Sequence, residues 1–165
     1  LNETAFYDPT NFTFPAGTYI CEVEIDPATG VTRVDKFTAV DDFGTIINPI
    51  GAQGQVEGAV LMGIGQALTE GTTYDDQGRQ RNPALLEYKL QTCADAPPID
   101  VHFIQINTPE AGPRGAKGLA EAPNVATAAA IANAIAKILG TPVRQLPMTA
   151  ERVWEQLQGD QGARS

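Results

Sequence analysis

Two stretches near the beginning of the chain alternate between apolar and polar side chains. From Gly17 to Asp26 the apolar residues alternate with Glu22 and Glu24, and the segment from Val31 to Asp41 alternates in the same way. A period of two residues is typical of a strand with one buried face. Residues 26–30 read Asp-Pro-Ala-Thr-Gly, which is turn chemistry with proline early and glycine late. The pattern therefore predicts a β-hairpin.

Three later segments have helical spacing. The segment from Gly51 to Glu70 carries five glycines, each costing about 1 kcal/mol relative to alanine in a helix. Such a helix must gain from close approach to another helix or to a ligand, and the sequence leaves both explanations open. The Ala-rich run from Asn124 to Leu139 is apolar nearly all round, which predicts a buried helix. Thr149 is predicted as the N-cap of a third helix, and residues 159–165 as a disordered tail.

Two further segments, Leu85 to Leu90 and Asp100 to Asn107, are predicted as strands. His102 lies on the second strand, facing away from its apolar set, so we expect a surface histidine. The order β-β-α-β-β-α-α predicts one α+β domain over residues 1–158. In this domain the hairpin and further strands, in a mostly antiparallel sheet, pack with the Gly-rich helix and the Ala-rich C-terminal helix.

Composition excludes several classes of function. The net charge of −9 argues against a nucleic-acid partner, because phosphate binding needs clustered Lys and Arg. The sequence shows no apolar run near the length expected of a membrane span. Cys21 and Cys93 are too few for a four-cysteine zinc or iron–sulfur site, and each is interpreted as a buried free thiol. Asp41 and Asp42 are adjacent and point apart, which favours a structural role over metal binding.

The strongest candidate for a functional site is the segment of residues 112–123, which reads Gly-Pro-Arg-Gly-Ala-Lys-Gly-Leu-Ala-Glu-Ala-Pro. This donor-rich loop leads into a helix N-terminus, where unpaired N–H groups and the helix dipole favour anions. A Walker A loop needs Ser or Thr after its lysine, but Gly118 follows Lys117. A Rossmann fingerprint needs the helix directly after its glycines. Both fingerprints fail, leaving backbone donors and Lys117 near an anionic or oxo group, with Glu121 alongside.

Glu121 has two interpretations. Beside an apolar Ala/Leu/Pro surface it would be partly desolvated and suited to act as a base near neutral pH. Alternatively, it is a solvated first-turn glutamate stabilised by the helix dipole. The residues alone leave both open.

Three groups of residues carry a resemblance to a known family: 6–9 with 11–13 and 22–30, 54–58 with 62–68, and 115–121. In this order and with these gaps, the chain resembles the C-terminal part of the molybdenum-binding large subunit of the molybdenum hydroxylases. That family includes xanthine dehydrogenase, aldehyde oxidoreductase and carbon monoxide dehydrogenase. The resemblance implies that residues 1–158 form a molybdopterin-binding domain.

The resemblance also implies roles for individual residues. Gln55 matches a glutamine that hydrogen-bonds molybdopterin, and Glu121 matches the general base. The reaction implied is insertion of water-derived oxygen at an electron-poor carbon of an aldehyde or N-heterocycle. Ala120 stands where the family usually has glycine, and its methyl could tighten the pocket or restrict the turn. The loop whose backbone lines the cofactor corresponds to Ala116, Lys117, Gly118 and Leu119.

The implied cofactor is molybdopterin with molybdenum, in the cytosine dinucleotide form because the match leans to the bacterial branch. The implied partners are the rest of the molybdenum-binding subunit and subunits carrying 2Fe–2S centres and FAD, in a cytoplasmic complex with a small-molecule substrate. The family's subunit is several times longer, so we expect either a separate small subunit or a fragment. Two alternatives stay open: a non-catalytic assembly or scaffold subunit with a degenerate site, and a nucleotide-binding module.

Overall fold

The structure is a computed structural model that describes residues 2–6, 8, 12–108 and 112–162. Parts of the family-like stretch 6–13 and residues 163–165 of the expected tail lie outside the described residues. The described residues form two strands, a long helix, a third strand, a short 3₁₀ turn (Pro113–Gly115) and two more helices. These are β1 (Ala16–Ile25), β2 (Thr32–Asp42), α1 (Pro49–Leu68), β3 (Ile99–Phe103), α2 (Ala122–Leu139) and α3 (Ala150–Gly162).

The predicted hairpin is confirmed. β1 and β2 pair antiparallel, with one register shift between Glu22 and Val23. In the turn, the Gly30 N–H donates to the Asp26 carbonyl at 2.7 Å, and the Ala28 N–H donates to the Asp26 side chain at 2.9 Å. Gly30 has a φ of +74°, a conformation that glycine adopts without steric cost.

The sheet differs from the prediction in its third strand. β3 pairs with β2 in parallel, with Phe37 opposite Ile99 and Asp41 opposite Phe103, so the three-stranded sheet is mixed. The mostly antiparallel arrangement was therefore wrong, although the α+β class is confirmed. β3 is also shorter than expected, because it ends at Phe103. His102 is exposed, as predicted.

The strand predicted from Leu85 to Leu90 was wrong. The Ala84 carbonyl accepts the Glu87 N–H at 3.0 Å and the Tyr88 N–H at 2.9 Å, so the chain turns back on itself here. Leu85 and Leu86 are adjacent and both are exposed, so the segment lacks the alternation that a half-buried strand needs.

The core lies between one face of the sheet and the helices α1 and α2. Phe37 of β2, Val60 of α1 and Ile135 of α2 are fully buried at its centre. Met148 and Val153 close the core beside α3. The fold thus presents the ends of β2 and α2 to the same loop region, residues 112–121.

α2 is buried on one face only, so the prediction of a helix buried all round was wrong. Its buried residues recur every four positions, whereas Val125 is 75% exposed and Ile138 is 51% exposed. The helix also has the length and composition to cross a membrane, with a mean hydropathy of 1.3, contrary to the sequence expectation. In this structure its inner face packs against α1 and β1.

Thr149 begins α3 as predicted, since its hydroxyl accepts the Arg152 N–H at 3.5 Å. The helix continues to Gly162. A disordered tail from Gly159 was therefore wrong for residues 159–162.

Three of the five glycines of α1 separate helix packing from open space. A Cβ at Gly63 would lie 2.6 Å from the Cβ of Thr127, a buried residue of α2, so this glycine permits close helix packing. A Cβ at Gly54 or Gly58 would meet nothing within 4 Å. Helix packing explains the first position and leaves the other two open to a ligand.

Gly63→Ala is expected to reduce the free energy of unfolding by about 1–3 kcal/mol, because the added methyl overpacks the α1–α2 contact. Gly58→Ala is the matched control, since it adds the same methyl where space is open. We expect the control to be neutral or to raise stability by up to about 1 kcal/mol through helix propensity. Urea denaturation measures both, and equal effects would contradict the packing explanation.

Candidate functional site

The loop before α2 is attached to the end of β2 by a short antiparallel bridge. Gly44 pairs with Ala116. The Lys117 N–H donates to the Phe43 carbonyl at 2.9 Å, and the Thr45 N–H donates to the Gly115 carbonyl at 3.0 Å. The loop therefore leaves the sheet with a defined backbone path.

Four residues at this bridge have a positive φ. Arg114 has a φ of 64°, an unusual value for a residue with a side chain, and Gly112 and Gly115 have values of 133° and 73°. Gly44 on the facing segment has a φ of 65°, and a Cβ there would lie 2.1 Å from the Gly115 carbonyl oxygen. The two backbones approach so closely that only glycine fits at residue 44.

Lys117 does not present its ammonium group to an external anion. Its Nζ donates to Oδ2 of Asp42, and the two side chains are only 9% and 11% exposed. The prediction that the Lys117 side chain lies beside an external anionic or oxo group was therefore wrong. What the loop presents around Lys117 is backbone, together with the exposed Gly118.

Asp42 also accepts backbone N–H groups, from Gly44 at 2.9 Å and from Ile106 at 3.3 Å. Burial raises the pKa of Asp42, but the hydrogen bonds from Lys117, Gly44 and Ile106 and the charge of Lys117 outweigh it and hold the pKa below its ordinary value. The structural role predicted for this aspartate is confirmed.

The neighbouring Asp41 is fully buried and faces the other way. Its Oδ1 accepts the Tyr19 hydroxyl, while Oδ2 has no partner within the described residues. Burial raises the pKa of Asp41 more than the bond from Tyr19 lowers it. The pKa of Asp41 is thus raised and that of the adjacent Asp42 is lowered. The two carboxyl groups hydrogen-bond to different parts of the chain and do not converge on one metal site.

Glu121 occupies the N-cap position of α2 with its side chain exposed. Its carbonyl accepts the Asn124 and Val125 N–H groups, each at 3.1 Å, but its side chain makes no capping hydrogen bond. In this chain alone Glu121 is thus the solvated glutamate of the second interpretation, and the expectation of a desolvated glutamate was wrong. The carboxylate is therefore free to meet a molecule that approaches from outside.

Gln55 is exposed on α1. Gly54 and Gly58 flank it, and both face open space, so a flat group could approach the helix backbone beside the Gln55 amide. Within the described residues no hydrogen bond joins Gln55 to residues 115–121. The structure therefore places the predicted cofactor residues on two separate elements.

The remaining sequence candidates carry no site chemistry in the described part of the chain. No group of three or more His, Cys, Asp or Glu residues there could hold a metal. Cys21 is half-buried, and burial, with a contribution from Glu22, raises the pKa of its thiol to about 12. Cys93 is exposed, so the buried-thiol prediction was wrong for this residue.

Sequence reasoning gave Asp42 a local structural role but missed that residues 42–44 anchor the distant loop before α2. The signal in the sequence was the pair Asp41 and Asp42 at the end of a predicted strand, with Gly44 two residues later. Asn124 was missed as well: its Oδ1 is buried, has no hydrogen-bond partner among the described residues, and lies close to Gly63 in the α1–α2 contact. Nothing in the sequence distinguished it.

Comparison with known proteins gives consistent matches. Residues 1–97 match the model of the molybdopterin cofactor-binding domain. The chain is 38% identical over 161 residues, 95% of its length, to the carbon monoxide dehydrogenase large chain of Hydrogenophaga pseudoflava. It is also 38% identical over 141 residues, 85% of its length, to a putative xanthine dehydrogenase molybdenum-binding subunit of Escherichia coli.

Solved structures agree in fold. Quinoline 2-oxidoreductase from Pseudomonas putida matches 93% of the chain with a TM-score of 0.88 and 35% identity. A Cu,Mo-CO dehydrogenase matches 95% of it with a TM-score of 0.86 and 34% identity. The chain spans about a fifth of each of these relatives, 20% of the H. pseudoflava protein and 20% of the quinoline enzyme chain. The chain therefore resembles part of the carbon monoxide dehydrogenase large chain and of a xanthine dehydrogenase molybdenum-binding subunit, and it belongs to the molybdopterin cofactor-binding domain family.

Proposed function

We propose that the chain forms part of the active site of a molybdenum-dependent hydroxylase or dehydrogenase, in which Glu121 is the general base. The observation that carries this proposal is the position of Glu121: its carboxylate is exposed and uncapped, directly after a loop that is fixed to the sheet. A base must reach the proton that it abstracts, and a fixed backbone keeps it within that reach.

The residues present fit a pterin cofactor. Gln55 offers a neutral amide that both donates and accepts, and the open space at Gly54 and Gly58 admits a flat ring against the helix. Residues 116–119 would contribute backbone groups and no net charge, because Lys117 is already paired with Asp42. Molybdenum held by the pterin would supply the two-electron acceptor. A cytosine dinucleotide form is part of the proposal, supported by bacterial relatives.

This chain's own contribution to the reaction is proton transfer and orientation. Glu121 takes a proton from the oxygen nucleophile and so raises its reactivity toward an electron-poor carbon. The anchored loop would limit the movement of Glu121 relative to a bound cofactor. The relatives' names include an aldehyde oxidoreductase and a nicotine 6-hydroxylase, which supports aldehydes and N-heterocycles as the proposed substrate class.

The proposal includes partners. Because the chain spans 20% of its relatives, we propose that the rest of the molybdenum-binding subunit covers the exposed apolar surface, which includes Ile50 and Val125. Relatives are named as a large chain, a large subunit and a complex subunit, which supports separate iron–sulfur and flavin subunits. A cytoplasmic location belongs to the same proposal.

Gln55→Leu tests cofactor binding in the full-length protein. Loss of a hydrogen-bond partner costs about 1–3 kcal/mol, so we expect cofactor affinity to fall about tenfold or more. Molybdenum analysis and the fluorescence of the released, oxidised pterin measure occupancy. Gln66→Leu, an exposed glutamine further along α1, is the control. Unchanged occupancy in the Gln55 variant would remove this residue from the site, and a purified complex without molybdenum would favour a scaffold.

A further inference from the structure

One carboxylate at the end of β2, Asp42, joins three segments that are far apart in sequence. It accepts the N–H of Gly44 in its own loop, the N–H of Ile106 beyond β3, and the ammonium of Lys117 in the loop before α2. Asp42 and Lys117 are 75 residues apart along the chain. The three bonds fix the relative positions of the two sheet strands and the loop.

The buried Asp42–Lys117 ion pair lies next to a stretch of backbone with unusual φ values. Arg114 and Gly115, just before Lys117, both have positive φ values, and an isolated loop would rarely keep two such residues in succession. The two backbone bonds of the bridge, from Lys117 to Phe43 and from Thr45 to Gly115, hold the same short segment. The ion pair is thus placed where it selects one loop conformation.

Glu121 lies four residues beyond this clamp. Gly118 and Ala120 are exposed, while Leu119 is partly buried against the core. On the other side of Glu121, Pro123 is buried at the start of α2. The backbone at Glu121 is therefore held from two directions, by the Lys117 clamp and by the anchored helix.

We propose that Asp42 is a positioning residue for Glu121, acting through Lys117; this inference rests on the proposed function of Glu121. The buried carboxylate orders the loop so that Glu121 meets the reacting group in one geometry.

The first test is Asp42→Asn in the full-length, cofactor-loaded protein. Asparagine keeps an oxygen for the N–H groups of Gly44 and Ile106 but loses the charge that holds Lys117. Since a small misplacement of a catalytic group can cost about 100-fold, we expect kcat to fall by about 10- to 100-fold, with KM within about twofold. Hydrogen exchange at the Lys117 amide is expected to rise at least about tenfold, with molybdenum content unchanged.

Further variants separate positioning from general stability. Lys117→Met is expected to reproduce the Asp42→Asn result, and the double variant to be no worse than either single one, as for two members of one unit. Lys117→Arg keeps the positive charge that pairs with Asp42, so we expect it to keep most of the parent kcat that Lys117→Met loses. Asp35→Asn, which breaks the exposed ion pair of Arg33 and Asp35 on the same strand, is the control and should leave loop exchange and kcat unchanged.

Several results would overturn the inference: normal loop exchange and kcat in Asp42→Asn, faster exchange with normal kcat, or no rescue by Lys117→Arg. If Asp42→Asn does not fold, Lys117→Arg and Lys117→Met provide the test. The inference then requires a higher kcat in Lys117→Arg, which keeps the charge that pairs with Asp42, than in Lys117→Met, which loses it. Failure of the proposed function is seen separately, as full turnover in a Glu121→Gln variant, while loop exchange still reports whether Asp42 orders the loop.

Discussion

Glu121→Gln in the full-length, cofactor-loaded protein is expected to lower kcat by about 10²- to 10⁴-fold, the usual contribution of a general base. Glutamine has nearly the same size and cannot accept a proton at neutral pH. Because the Glu121 side chain is exposed and makes no capping hydrogen bond, the substitution should leave folding unaffected. Steady-state kinetics and molybdenum content are the measurements, with content expected within twofold of the parent.

A matched control comes from another exposed glutamate. Glu155→Gln on α3 removes the same charge on another helix and should leave kcat unchanged. Near-normal turnover of Glu121→Gln with full molybdenum content would contradict the role of Glu121 as the base. A parallel loss of molybdenum would instead assign Glu121 to cofactor retention.

Gly44→Ala is expected to reduce the free energy of unfolding by about 2–5 kcal/mol. A left-handed conformation costs an alanine about 1–2 kcal/mol. The added Cβ would also lie 2.1 Å from the Gly115 carbonyl oxygen, a backbone atom that cannot turn away. Overpacking adds about 1–3 kcal/mol. Because the contact is with the loop that precedes Glu121, the surviving folded protein should also lose activity.

Gly78→Ala separates the two contributions. Gly78 has a similar φ of +76°, but a Cβ there would meet nothing within 4 Å. This variant should therefore show the conformational cost alone, about 1–2 kcal/mol, with normal activity. Denaturant unfolding and kcat of both variants provide the comparison, and equal losses would show that the close approach at Gly44 contributes nothing.

The elements that depend on local pattern were predictable. The alternation through β1 and β2 and the Pro-to-Gly turn define the hairpin within 27 residues, from Ala16 to Asp42. Helical spacing located α1 and α2, because periodicity depends only on near neighbours. The parallel pairing of β3 was not predictable, since it depends on contacts with a strand more than 50 residues earlier in the chain.

The candidate site shows the same division. The motif ending in Glu121 located the carboxylate, and its position before α2 is the one expected. The side chain of Lys117 was assigned outward, whereas it turns inward to Asp42, because a buried partner distant in sequence leaves no local signal. The sequence could not show why α1 carries its glycines. The structure shows close packing at Gly63 and open space at Gly54.

The parallel pairing of β3 with β2 sets an order of assembly. The hairpin needs only a short turn to close, so it can form within microseconds of collapse. β3 can join it only after residues 43–98, including all of α1, have been brought round, and closing that long a loop costs entropy before any contact repays it. The Ile106 and Lys117 bonds to Asp42 depend on the same closure. The loop that carries Glu121 is therefore expected to be among the last parts of the chain to become native, and the first to lose protection when the parallel pairing is weakened.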